Sequence, residues 1–133
     1  IIMLTSLDDR PRELLTTSLI RAKMCESLAK RLGHRSTESF FTVGLFSTLD
    51  AFLDCRMQQA LELLPLADDI REALLNQQGD AGEVLQSVLS YEQADWDAGA
   101  VKSADSSGIR DAYMQSLVWA DSLVKSFSAS AGR

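Results

Sequence analysis

A chain of 133 residues and 14.6 kDa with 46% hydrophobic residues has the size and the apolar content for one packed domain, which excludes disorder over most of its length. Nineteen Asp and Glu against thirteen Lys and Arg give a net charge of -6 and a pI near 4.7, so phosphate backbones repel the chain and nucleic acid is excluded as a principal partner. No basic segment followed by an apolar run opens it and no apolar run is long enough to span a bilayer, so we expect neither a signal peptide nor a membrane partner, and a cytoplasmic setting.

The first clear element is expected from Pro11 to Leu32. Asp9 stands where an N-cap or first-turn acid belongs, and Pro11 suits the first turn, where no backbone donor is needed. Leu15, Ser18, Leu19, Ala22, Cys25, Leu28, Ala29 and Leu32 then recur at spacings of three and four, the stripe of an amphipathic helix that Gly33 stops. The opposite face carries Arg12, Lys23, Lys30 and Arg31, with Glu26 and Lys30 four apart in the favourable order. A short link over 33–35 and a cap at Ser36 or Thr37 lead to the most apolar stretch of the chain, Phe40 to Leu53. Its apolar residues run most of the way round a helix, which predicts a central buried helix; Gly44 inside it, unfavourable for helix, points to the close approach of another backbone.

Beyond Asp54, Met57, Ala60, Leu61 and Leu64 mark a short helix closed by Pro65. Asp68 and Asp69 suit the first turn of a helix with Ile70, Ala73 and Leu74 inward. Asp80 can cap a further one with Val84, Leu85, Val88, Leu89 and Tyr91 inward, running toward Trp96. Residues 97–107 read as a flexible linker of Gly, Ala and Ser, and Ile109, Ala112, Tyr113, Ser116, Leu117, Ala120, Leu123 and Val124 as a last helix over 108–128, with a fraying tail. No strand-like alternation and no long repeat is visible. The predicted class is all-α, five to six helices in one domain with its core over 9–96. The opening Ile1, Ile2 in place of Met points to a fragment of a longer protein.

Signs of chemistry are few. Cys25 and Cys55 sit in apolar patterns and read as reduced, buried thiols. His34, the single histidine, stands beside Gly33 at a helix end and reads as a solvated or capping residue. Asp50 and Asp54 are a weak cation signal that fits a solvated edge equally well. No phosphate loop, CxxC pair or serine nucleophile elbow occurs, and no cofactor is expected. Charge is uneven, with seven basic and two acidic residues over 10–35 and one basic and nine acidic over 57–101, a pattern that two solvated faces or two binding faces would both produce.

The run ELLTTSLIRAKMCESLAKRLG, a short gap, then ESFFTVGLFSTLDAFLD, RMQQALELLPL, DDIREALL and YEQADW resembles the C-terminal part of HDOD domains, the HD-related output domains of bacterial signalling proteins, in the version that follows an EAL domain in cyclic-di-GMP signalling proteins. The resemblance implies an HD-like helical fold and a comparison with true HD phosphohydrolases, which hold a metal with one early histidine and a His-Asp dyad after a Gly-Leu-Leu-like step. Gly44, Leu45 and Phe46 match that step, so the dyad positions are Ser47 and Thr48, and the earlier position is Thr17. Neutral hydroxyls do not replace imidazole and carboxylate around a divalent metal. The resemblance therefore implies a non-catalytic signalling domain with a vestigial pocket at Thr17, Ser47 and Thr48. We expect its partners to be a neighbouring EAL or receiver domain or another protein, with a homodimer open, and Arg12, Lys23, Lys30 and Arg31 as an interaction surface. The rivals are a metal-dependent HD-type phosphohydrolase using other ligands and a nucleotide sensor.

Overall fold

A computed structural model describes the backbone over residues 2–93 and 106–131 and side chains over 12–93 and 108–127. The described residues are helical, with no strand among them, as the all-α class predicts. The helices are α1 (Ile2–Arg31), α2 (Glu38–Phe46), α3 (Leu49–Leu53), α4 (Met57–Leu61), α5 (Asp68–Asn76), α6 (Gly79–Glu92) and α7 (Ser106–Ala131).

The hub is α1, which packs against α2, α7, α6 and α3. At about 100° per residue its buried positions Met24, Leu28, Cys25, Ser18, Ala29, Ala22 and Leu19 cover roughly 220° of the helix circumference, far more than one amphipathic stripe. Met24, fully buried on the flank, lies outside the predicted stripe for that reason. The helix also begins at Ile2 rather than beside Asp9 and Pro11, so Pro11 stands inside it, where it withholds one backbone donor and crowds the carbonyl four residues back without ending the helix. Its C-terminus follows the expected glycine stop. Gly33, at φ 92°, lets its own N–H reach the Lys30 carbonyl at 3.1 Å and the His34 N–H reach the Ala29 carbonyl at 3.0 Å, the paired bonds of a Schellman ending.

The apolar stretch 40–53 is two helices rather than one. Ser47 donates to the Gly44 carbonyl through both its N–H, at 3.3 Å, and its hydroxyl, at 2.7 Å, which pulls the chain into a tight turn and ends α2. Only the first part is central: Phe40, Val43 and Gly44 are buried, whereas no residue of α3 is. Gly44 lies against α1 as its presence predicts. A Cβ there would stand 2.5 Å from the Arg21 carbonyl oxygen and 2.7 Å from the Ala22 Cα, so only glycine admits this helix crossing.

α4 ends at Leu61, four residues before Pro65, with Ala60 and Leu61 buried. α5 buries Ala73 and Leu74 with Asp68 and Asp69 in its first turn, and α6 buries Val84, Leu85 and Val88, as their spacing predicts. The α6 N-cap is Gln78, with Asp80 in the first turn, because Gln77 closes α5 in the left-handed region at φ 54° and leaves only two residues between the helices. α7 lays Gly108, Ile109, Ala112, Ser116 and Ala120 against the body; four of these are small, which lets the helix seat closely on α1. Tyr113 meets Tyr91 at 5.2 Å between centroids, and Trp119 meets Phe41 edge-on at 6.1 Å. The predicted linker over 97–107 and Trp96 lie outside the described residues, apart from the start of α7.

Candidate functional site

The turn between α2 and α3 brings Ser47 and Thr48 down onto the middle of α1. Thr48 is buried, and its Oγ1 shares a short hydrogen bond with the Ser18 hydroxyl, which also donates to the Leu14 carbonyl at 2.8 Å. Sharing one proton between two hydroxyls while the second bonds a helix carbonyl satisfies both in a place water does not reach. Ser47 takes a hydrogen bond from Arg21 Nη1 at 3.2 Å while donating to Gly44. Arg21 in turn grips Glu92, the last residue of α6, with Nε to Oε2 and Nη2 to Oε1 both at 2.8 Å. The pair is mostly enclosed, its side chains 18% and 23% exposed.

Of the sequence-predicted positions, Ser47 and Thr48 therefore meet at one corner. The α1 residue that meets them is Ser18 rather than its neighbour Thr17, which is half-buried and takes no part in the network. One residue along a helix turns a side chain by about 100°, so Ser18 rather than Thr17 faces Thr48. Arg21 and Glu92 were not foreseen. The available signal was Arg21 itself, a cation in the middle of the apolar arc of α1, which calls for an anionic partner. Glu92 stands 71 residues away and carries no local mark.

Beneath the corner lies Cys25, fully buried. Burial pushes its thiol up to about 12; Arg21 opposes the shift and Glu92 adds to it. Such a thiol is a packing group rather than a nucleophile. Cys55 is half-buried and also free. Among the described residues no three His, Cys, Asp or Glu side chains are grouped to hold a metal. Asp50 accepts the Ala51 N–H at 2.9 Å, and Asp54 is exposed as the left-handed C-cap of α3 at φ 52°.

The predicted basic surface is only partly free. Arg12, Lys30 and Arg31 are exposed, with Lys30 Nζ 3.7 Å from Glu26. Lys23 is occupied: its Nζ lies 2.8 Å from Glu26 and 5.3 Å from the centroid of the Trp119 ring, so it helps seat α7. His34 lines a surface cleft of about 290 Å³ with Ser39, Phe40, Asp69 and Asp80, its ring 4.7 Å from that of Phe40.

Two curated proteins are similar to the chain. It is 41% identical over 88 residues to the cyclic di-GMP phosphodiesterase CdgJ of Vibrio cholerae, an alignment that takes in 65% of this chain and 20% of that protein. It is 32% identical over 114 residues to the uncharacterized protein YuxH of Bacillus subtilis, covering 84% of this chain and 28% of YuxH. The chain thus spans between a fifth and a third of these relatives. No family model and no solved structure matches it.

Proposed function

We propose that the chain is a non-catalytic signal-transduction domain of the HDOD type, working in cyclic-di-GMP signalling through contacts with a neighbouring domain, EAL or receiver in kind, or with another protein. The observation that carries this reading is the guanidinium of Arg21 bonded to Ser47. At the corner where an HD phosphohydrolase would hold a metal cation stands a fixed positive charge, already neutralised by Glu92, among hydroxyls that satisfy one another. A divalent ion finds no imidazole there, and the one carboxylate at hand, Glu92, is already held by Arg21. The similarity to CdgJ supports the signalling context, and the HDOD-like runs extend from Glu13 within α1 past the end of α6. On this reading the corner is a structural joint, and the exposed Arg12, Lys30 and Arg31 of α1 form one of the surfaces through which the domain acts.

The test is metal analysis of the purified chain combined with hydrolysis of cyclic di-GMP, with and without chelator. We expect no stoichiometric metal and no turnover. Bound metal with chelator-sensitive turnover would replace this reading with the phosphohydrolase. Thermal shifts against linear and cyclic nucleotides complete the test, since a stabilising nucleotide would make the domain a sensor.

A further inference from the structure

We infer that the cleft between the end of α1 and the first turns of α2, α5 and α6 is a binding site for a guanidinium group, carried by a small molecule or by an arginine side chain. It is the concave feature of about 290 Å³ that His34 lines, and four parts of the chain build it. His34 comes from the turn after α1, Ser39 and Phe40 from α2, Asp69 and Ile70 from α5, and Asp80 from α6. A hollow with apolar side chains and a few convergent polar groups is the form that ligand sites take. Here the polar groups are unspent. Asp69 accepts the Ile70 N–H at 2.9 Å through Oδ1, which leaves Oδ2 open. Among the described residues the Asp80 carboxylate, the Ser39 hydroxyl and the His34 ring nitrogens form no hydrogen bond and no ion pair. The His34 ring rests only against Phe40, at 4.7 Å between centroids.

The lining decides the class of ligand. From 68 to 83 five acidic side chains stand against one basic, so the potential at the two carboxylates favours a cation and turns phosphates away. Arg35 and Arg71 adjoin lining residues in sequence, yet neither pairs with Asp69 or Asp80. A divalent ion is poorly served, since no three His, Cys, Asp or Glu side chains among the described residues are grouped to hold it. A guanidinium uses the whole set. Its N–H groups fork onto carboxylate and hydroxyl oxygens, and its plane lies against the imidazole that Phe40 steadies. An ammonium would meet the charge and leave the ring idle. The cleft shares no residue with the Arg21 corner, so the inference goes beyond the reading above and stands or falls separately.

The experiment titrates the isotope-labelled chain with N-acetyl-arginine methylamide, with its lysine and citrulline counterparts, and with a blocked Gly-Gly-Arg-Gly-Gly peptide, read by amide shifts. Citrulline keeps the shape of arginine without its charge. The arginine probe is expected to shift amides over 34–40, 69–70 and 78–81, to bind about fivefold tighter than the lysine probe, and the citrulline probe to give no shift. Asp69→Asn and Asp80→Asn should each weaken binding about tenfold, while Glu62→Gln, which removes the same charge outside the cleft, should leave it unchanged. Retained melting temperatures show that the variants fold, and the wild-type shift map locates the site without them. Tighter binding of the peptide than of the free probe assigns the guanidinium to an arginine of a partner protein; equal or weaker binding assigns it to a free guanidino compound. No shift in the cleft, or equal affinity for the lysine or citrulline probe, overturns the proposal. So does equal weakening by Glu62→Gln, or cyclic di-GMP shifting the same amides.

Discussion

At Gly44 the absence of a side chain decides how two helices meet. A methyl group would have to occupy space already filled by the backbone of Arg21 and Ala22, and backbone cannot rotate away as a side-chain tip can. Gly44→Ala should therefore destabilise the domain by about 1–3 kcal/mol despite alanine's better helix propensity. Urea unfolding measures it, and unchanged or raised stability would mean that the crossing is not so close. Cys25 gives a second prediction with a definite sign. Its thiol is raised from 9.0 to about 12 in the folded protein, so below pH 9 both states keep the proton and burial contributes in full. Between about pH 9 and 12 the unfolded chain releases that proton first, and stability falls as pH rises. Wild type should lose more stability from pH 8 to pH 10 than Cys25→Ala does; parallel losses would remove the thiol as the cause.

Between elements, the strongest polar tie in the described residues joins α1 to the end of α6 through Arg21 and Glu92. Bidentate geometry and partial enclosure raise it above an ordinary surface pair, yet its exposure still admits solvent screening. A double-mutant cycle with Arg21→Gln and Glu92→Gln should give a coupling of about 1 kcal/mol, smaller in high salt. A coupling of zero at low salt would reduce the tie to a surface contact. The same elements show what the sequence made legible. The stripes of α5, α6 and α7 were readable because each helix keeps a solvated side, and the spacing of Ala73 and Leu74 or of Val84, Leu85 and Val88 records the buried one. The break at Ser47 was not, because no Gly or Pro marks it; a serine turning its hydroxyl onto Gly44 looks, in sequence, like a tolerated helical serine. At the candidate site, Ser47 and Thr48 were singled out by the HDOD resemblance, whereas Arg21 and Glu92 depend on how α6 returns to α1, a tertiary fact.

For the molecule as a whole, α1 carries the domain, since the two largest packing surfaces between the described helices, with α2 and α7, are both its own. Leu28→Ala, at a fully enclosed position of that helix, should cost about 2–5 kcal/mol. Far-ultraviolet dichroism and the fluorescence of Trp119, which sits where α7 meets α2, should report the loss with one midpoint. Separate midpoints would mean that α7 unfolds on its own. The corner of Ser18, Arg21, Ser47 and Thr48 has a consequence of another kind, measured in mutational steps. Placing an imidazole or a carboxylate at Thr48 alone would break the closed hydroxyl pair, leave Ser18 wrongly partnered, and cost about 1–3 kcal/mol for each polar group stranded, with no metal yet bound to offset it. Several such changes, and the loss of Arg21, would have to accumulate before a cation gained a foothold. A first substitution of that kind at Thr48 therefore costs stability before it offers a ligand.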